Sequence, residues 1–174
     1  MNAVYSLRVA RSVVVSSVVF GFLAGAVMGH SEQTLLNRPA PQFVRTDVEG
    51  TRIDLAQYRG RVVLLNFWAT WCAPCRIEMP LFVQWQQQYG PRGLEIIGVS
   101  IDDSEAPVRP FVARMRLDYP VVMGNAKLGD LYGGVYGVPV TFLIDRHGIV
   151  CARFDGGSST SRIEAEMLKI LAAP

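Results

Sequence analysis

Apolar residues fall along the chain in distinct patterns, and each predicts a different kind of element. RVVLLNFWA (61–69) and LEIIGVSI (94–101) are apolar runs of strand length without a polar face, the mark of strands buried on both sides. The first reads as a central strand of a parallel sheet. Between them Leu81, Phe82, Trp85 and Tyr89 recur at spacings of three and four, which predicts a helix over about 73–89 that Gly90-Pro91 ends. Pro80 lies inside it, removes the bond to the Arg76 carbonyl and predicts a kink about one turn past Cys75. FVRTDVEGTRIDL (43–55) predicts a hairpin turning near Glu49-Gly50, and DYPVVMG (118–124) a short strand. VTFLID (140–145) and IVCARF (149–154) predict a second hairpin across Arg146-His147-Gly148. Ser104 is a candidate N-cap for a helix through about Met115, a brief helix covers about 126–132, and Ile163, Met167, Leu168 and Leu171 line one face of a last helix over 159–171. Strands alternating with helices and closing on a hairpin plus a helix predict one α/β domain with a mixed sheet.

The N-terminus follows none of these patterns. Residues 1–11 carry Arg8 and Arg11 and no acid, and SVVVSSVVFGFLAGAVMG (12–29) then runs without a charge, the layout of a secretory signal peptide or an uncleaved signal anchor over 1–29. As a helix the apolar run spans about 27 Å, against a hydrocarbon core of about 30 Å. Ala24-Gly25-Ala26 fits a small-residue cleavage site, so both outcomes stay open. The positive charge lies on the N-terminal side only, which places the rest of the chain outside the cytosol, on the periplasmic side, with the membrane touched only through 12–29. A polar stretch with Pro39 and Pro41 reads as a linker over 30–42, and the domain proper as 43–174.

Composition narrows the function. At 174 residues, 50% hydrophobic and 18% charged, the chain is ordered and long enough to bury one core without covalent staples. Of 17 basic and 15 acidic residues, setting aside Arg8 and Arg11 leaves 15 against 15, so an electrostatic case for nucleic acid is missing. The three cysteines therefore need a reason other than stability, and outside the cytosol their disulfides persist.

WATWCAPCRIEMP (68–80) supplies the reason. Cys72 falls where a buried strand gives way to a helix, and the unpaired N–H groups and dipole there favour a thiolate. Thiols in Cys-X-X-Cys pairs have pKa values of about 3.5 to 7.5, against about 8.5 for a free cysteine. Cys75, a turn further in, is expected to be more shielded. That asymmetry gives Cys72 the attack on a target disulfide and Cys75 the closure that releases the product, with Pro74 restraining the turn between them. Cys72-x2-Cys75 together with His147-x3-Cys151 could instead hold zinc or Cu(I), as a metal-binding or metallochaperone module would. No metal is expected, because the pairs sit beside a strand–helix junction and in a hairpin and not in knuckle turns. A structural disulfide over so short a loop would remove little unfolded-state entropy. Cys151 reads as a small buried hydrophobe, His147 as a turn residue, and Asp102-Asp103 as a strand end capping the next helix.

NFWATWCAPCRIEMP, with RPAPQF and YRGRVVLLNFWA upstream and GVPVTFLIDRHGIV downstream, resembles the TlpA/ResA-type membrane-tethered thioredoxin-like thiol-disulfide oxidoreductases over roughly 38–172. The resemblance implies a thioredoxin fold: a central mixed sheet flanked by helices, with an added N-terminal hairpin and a central insertion. It implies no cofactor beyond the Cys72–Cys75 disulfide, and a cis Pro139 facing the pair. A cis proline would expose the backbone of Val138 to an extended substrate peptide, which pairs with it as an added strand. Trp71 would flank the same groove. Asn66 stands where ordinary thioredoxins carry a buried aspartate, and Glu78 resembles the family's alternative carboxylate, able to take the Cys75 proton. Ala73-Pro74 puts no cation beside Cys72, which favours a reductase recharged by a membrane electron donor. Its partners would be disulfide-containing exported proteins, including apocytochrome c or copper-site assembly factors. Val140, where the cytochrome c branch has glutamate, tells against the haem role. A peroxidase on the same fold would want Thr-x-x-Cys, which Ala69-Thr70-Trp71-Cys72 does not provide.

Overall fold

The computed structural model describes residues 35–156 and 158–173, so the expected signal segment and the start of the linker lie outside the described residues. Strands β1 (Val44–Thr46) and β2 (Arg52–Asp54) form the expected N-terminal hairpin as a two-stranded antiparallel sheet. Buried Asp47 shapes its turn: Oδ1 accepts from the N–H of Glu49 at 3.0 Å and of Thr51 at 2.7 Å, and Gly50 takes the positive φ of 93° the turn demands.

β3 (Val62–Trp68) is buried at all seven positions and sits in the middle of the five-stranded sheet. It pairs in parallel with β4 (Leu94–Ser100), beyond which lies β5 (Val121–Met123). On its other side it pairs antiparallel with β6 (Val140–Ile144), followed by β7 (Val150–Asp155). The expected central strand of a parallel sheet is therefore parallel on one side only, because an unbroken apolar run reports burial on two faces and not the direction of the neighbours. Between β4 and β6 the chain inserts α2 (Val108–Met115), β5 and α3 (Ala126–Leu131). The long helix α1 (Ala73–Tyr89) stays helical through Pro80, and α4 (Thr160–Ala172) closes the domain.

Side chains alternate across β3 and feed two cores. Leu64 and Trp68 pack with Met79, Phe82 and Trp85 of α1, Phe111 of α2 and Met167 of α4. Val63, Leu65 and Phe67 pack on the opposite face with Leu128 of α3, Tyr132 and Phe142. By this alternation Asn66 points to the α1 side.

Two boundaries differ from the sequence reading. Helix α2 begins at Val108, capped by Pro107 without a side-chain bond, and not at Ser104. The backbone is already wound one turn earlier, with Val108 N–H and Arg109 N–H donating to the Glu105 carbonyl at 3.0 and 3.2 Å, but Pro110 has no N–H for the Ala106 carbonyl, so the regular ladder starts only at Val108. The end of the segment read as linker is pinned to the domain: Asn37 N–H donates to the Val150 carbonyl at 2.8 Å, Val150 N–H to that of Arg38 at 2.9 Å, and Ala40 is buried. Prolines there suit a chain that runs along a sheet edge as well as a linker.

Candidate active site

β3 leaves the sheet at Ala69, and Cys72 N–H donates back to the Ala69 carbonyl at 3.1 Å to close the turn into α1. Cys72 is the N-cap of α1, its sulfur accepting from the Cys75 N–H at 3.2 Å. Pro74 sits in the first turn of the helix, where its missing N–H leaves no bond unmade. Cys72 and Cys75 form a disulfide with S–S 2.05 Å, and their residues are 4% and 1% exposed, so Cys75 is the more shielded. Trp71 and Ile77 are exposed beside the buried pair.

The Val138–Pro139 peptide is cis, and the Val138 carbonyl oxygen lies 3.6 Å from Cys72 Sγ. The antiparallel β3–β6 register brings them together: Phe67 pairs with Val140, so the end of β3 and the start of β6 meet at one edge of the sheet. A sulfur in a disulfide has no proton to donate, so this contact becomes a hydrogen bond only in the dithiol.

Glu78 lies one turn past Cys75 and faces inward, on the same side of α1 as Cys75, Met79 and Phe82. It is 8% exposed, Oε2 has no hydrogen-bond partner among the described residues, and burial pushes the carboxyl up to about 7. A group that titrates near neutrality can accept a proton and return it. Asn66 does no such work: its Nδ2 donates to Thr141 Oγ1 at 2.9 Å, directly across the β3–β6 pair.

The metal half-sites do not converge. β6 runs antiparallel to β3, so the turn carrying His147 lies at the opposite end of the sheet from Cys72. Cys151 is half-buried on β7, its thiol donates to the Ile149 carbonyl at 3.6 Å, and burial pushes its pKa up.

Two side chains escaped the sequence reading. Asp102, expected to cap the following helix, turns back to the active-site turn instead. Its Oδ2 accepts from Thr70 N–H at 2.9 Å and Ser100 Oγ at 2.8 Å, and its Oδ1 from Thr70 Oγ1 at 2.6 Å. Arg153 of β7 donates to the carbonyls of Tyr132, Gly133 and Gly134 and pairs with Asp155, bracing the segment that leads to Val138. Tyr136, 93% exposed, stands between a cleft of about 440 Å³ lined by Asp102, Asp130 and Ile101 and one of about 280 Å³ lined by Val138, Val140 and Arg153.

Comparison with known proteins agrees with this geometry. The profile described as the AhpC/TSA family matches residues 36–153. A thiol-disulfide oxidoreductase ResA of Bacillus thuringiensis (strain Al Hakam) is 35% identical over 166 residues, 94% of each chain, and one of Geobacillus thermodenitrificans is 41% identical over 114 residues, 64% of each. Among solved structures, a thiol:disulfide interchange protein of the thioredoxin family from Chlorobium tepidum TLS is similar at TM-score 0.71 and 31% identity, covering 77% of this chain and 96% of its own. A secreted thiol-disulfide isomerase from Corynebacterium glutamicum is similar at TM-score 0.68 and 26% identity, covering 77% and 86%.

Proposed function

From the premise that the chain belongs to the AhpC/TSA family, and within it to the TlpA/ResA-type thioredoxin-like thiol-disulfide oxidoreductases, we propose that it works outside the cytosol as a reductase of disulfides in exported proteins. The observation that carries this reading is the Cys72–Cys75 pair at the N-terminus of α1, with the Val138 carbonyl 3.6 Å from Cys72 Sγ. An extended segment laid against Val138 would bring its disulfide to Cys72 as an added strand does.

In the reducing cycle the Cys72 thiolate attacks one sulfur of the target disulfide, forming a mixed disulfide and expelling the other target sulfur as a thiolate. The Cys75 thiol then loses its proton to Glu78 and attacks Cys72 Sγ. The Cys72–Cys75 bridge closes, and the first target sulfur departs as a thiolate that takes up a proton. Two electrons have passed to the target, and a membrane electron donor must return them.

Ala73 and Pro74, both exposed, offer Cys72 no cation, which leaves its thiolate less stabilised than in a strong oxidant. The uncharged run 12–29 supports export and anchoring, and the secreted relative is consistent with it. Apocytochrome c and copper-site assembly factors are the candidate targets, with Val140, buried at the start of β6, weighing against the first. In Cys75→Ser, where resolution is blocked, a target protein stays covalently attached through Cys72 and is seen on a non-reducing gel. A Cys75→Ser protein that captures nothing from exported proteins, while Cys72 remains reactive to a small disulfide, overturns the reading.

A further inference from the structure

We propose that Asp102 is a positioning residue of the exchange reaction: its carboxylate replaces the sheet as acceptor for the turn that presents Cys72. The last register pair of β3 and β4 is Trp68 with Ser100, and Ile101 N–H still donates to the Trp68 carbonyl at 2.8 Å. Continuing that parallel ladder would set Thr70 N–H against the main chain of Ile101. Asp102 takes it instead, at 2.9 Å, and anchors the Thr70 hydroxyl with its other oxygen at 2.6 Å. The strand can therefore leave the sheet without stranding a half-buried donor, and the chain turns into α1 two residues later.

Asp102 is 8% exposed, so its carboxylate relies on the Thr70 and Ser100 donors rather than on bulk water. Ser100, itself fully buried, both donates to Asp102 Oδ2 and accepts the Asp102 N–H at 3.1 Å, which locks the carboxylate's direction. The turn it holds is the one in which Cys72 N–H closes on Ala69, so the placement of Cys72 Sγ against the Cys75 N–H and the Val138 carbonyl depends on it. Asp102 touches neither sulfur and moves no proton; it acts through Thr70.

The substitutions that test this separate shape from charge. In Asp102→Asn the amide oxygen can take the Oδ2 position and accept both Thr70 N–H and Ser100 Oγ. Its NH₂ then donates to Thr70 Oγ1, which is able to accept. All three bonds survive without the charge. In Asp102→Ala all three are lost, and in Thr70→Val only the hydroxyl bond goes. The Cys72 titration is followed by thiolate absorbance in the reduced protein, and the pH–rate profile by reduction of a small aromatic disulfide. Expected are an upward shift of the Cys72 titration by about one unit and about a tenfold loss of rate at neutral pH in Asp102→Ala. Thr70→Val should lose about threefold, and Asp102→Asn should stay within about twofold of the wild type. If Asp102→Ala does not fold, Thr70→Val carries the test, and a Cys72 titration and rate unchanged in it overturn the proposal. A folded Asp102→Asn as impaired as Asp102→Ala also overturns it, since the charge and not the positioning would then matter.

Discussion

Removing the charge of Glu78 while keeping its shape gives a sharp test of the proton-transfer role, because the same group must leave a mark on stability. The carboxyl ordinarily titrates at 4.5 and is pushed up to about 7 by burial. Below pH 4.5 it is protonated in both the folded and the unfolded chain and adds no pH dependence. Between 4.5 and about 7 the folded state holds a proton that the unfolded state has lost, so stability falls as pH rises through this window. Above it the folded protein must bury the charge. At about 1.36 kcal/mol per unit the full shift is worth roughly 3 kcal/mol, which residual solvent reduces to the order of 2 kcal/mol. Urea unfolding of the oxidised protein and of Glu78→Gln, each at pH 5 and pH 8, isolates this contribution: the groups common to both proteins cancel in the double difference. The wild type should lose about 2 kcal/mol more than the variant between the two pH values. In stopped-flow turnover the variant should also lose the limb of the resolution rate that titrates near 7, with at least a tenfold slowing. Stability curves that run parallel in the two proteins would refute the buried, neutral carboxyl and with it the argument for Glu78 as the proton acceptor.

Thr141→Val leaves the buried Asn66 amide without its 2.9 Å acceptor and should cost about 1 to 3 kcal/mol in chemical denaturation, with little change in the attack by Cys72. Gly98→Ala places a Cβ 2.9 Å from Trp68 Nε1 and 3.3 Å from Val121 Cγ2, between two buried strands, and should destabilise by about 1 to 3 kcal/mol on the same assay. An unchanged midpoint in either variant would contradict the packing described.

What could be read from the sequence and what could not divides along physical lines. Periodicity found β3, β4 and α1 because burial on two faces, or on one helical stripe, writes itself into consecutive positions. The turn residues Gly50 and Gly148 marked both hairpins, since only special backbone angles needed them. Strand direction was less legible: β3 looks the same beside a parallel or an antiparallel neighbour. The start of α2 was misplaced because Ser104 resembles a cap, while Pro110, lacking an N–H, interrupts the ladder ahead of Val108. The cysteine pair announced itself through spacing and its place after a strand. Asp102 did not, because its partner Thr70 lies 32 positions away and is brought near only by the parallel pairing of β3 with β4. An acid directly after a buried strand, opposite a threonine at the end of the neighbouring strand, is the one signal that could have found it. The same holds for Asn66 and Thr141, 75 positions apart, and for Arg153, whose three carbonyl partners lie on a segment recognisable only by its glycines.

The direction of electron flow is the centre of the account, and the reduction potential of the Cys72–Cys75 couple measures it directly. With the protein equilibrated in glutathione or dithiothreitol buffers, and Cys72→Ser as the blank, the potential should lie below about −230 mV, near the reducing end of the thioredoxin-like range. A potential above about −150 mV would make the protein an oxidant or isomerase and contradict the account.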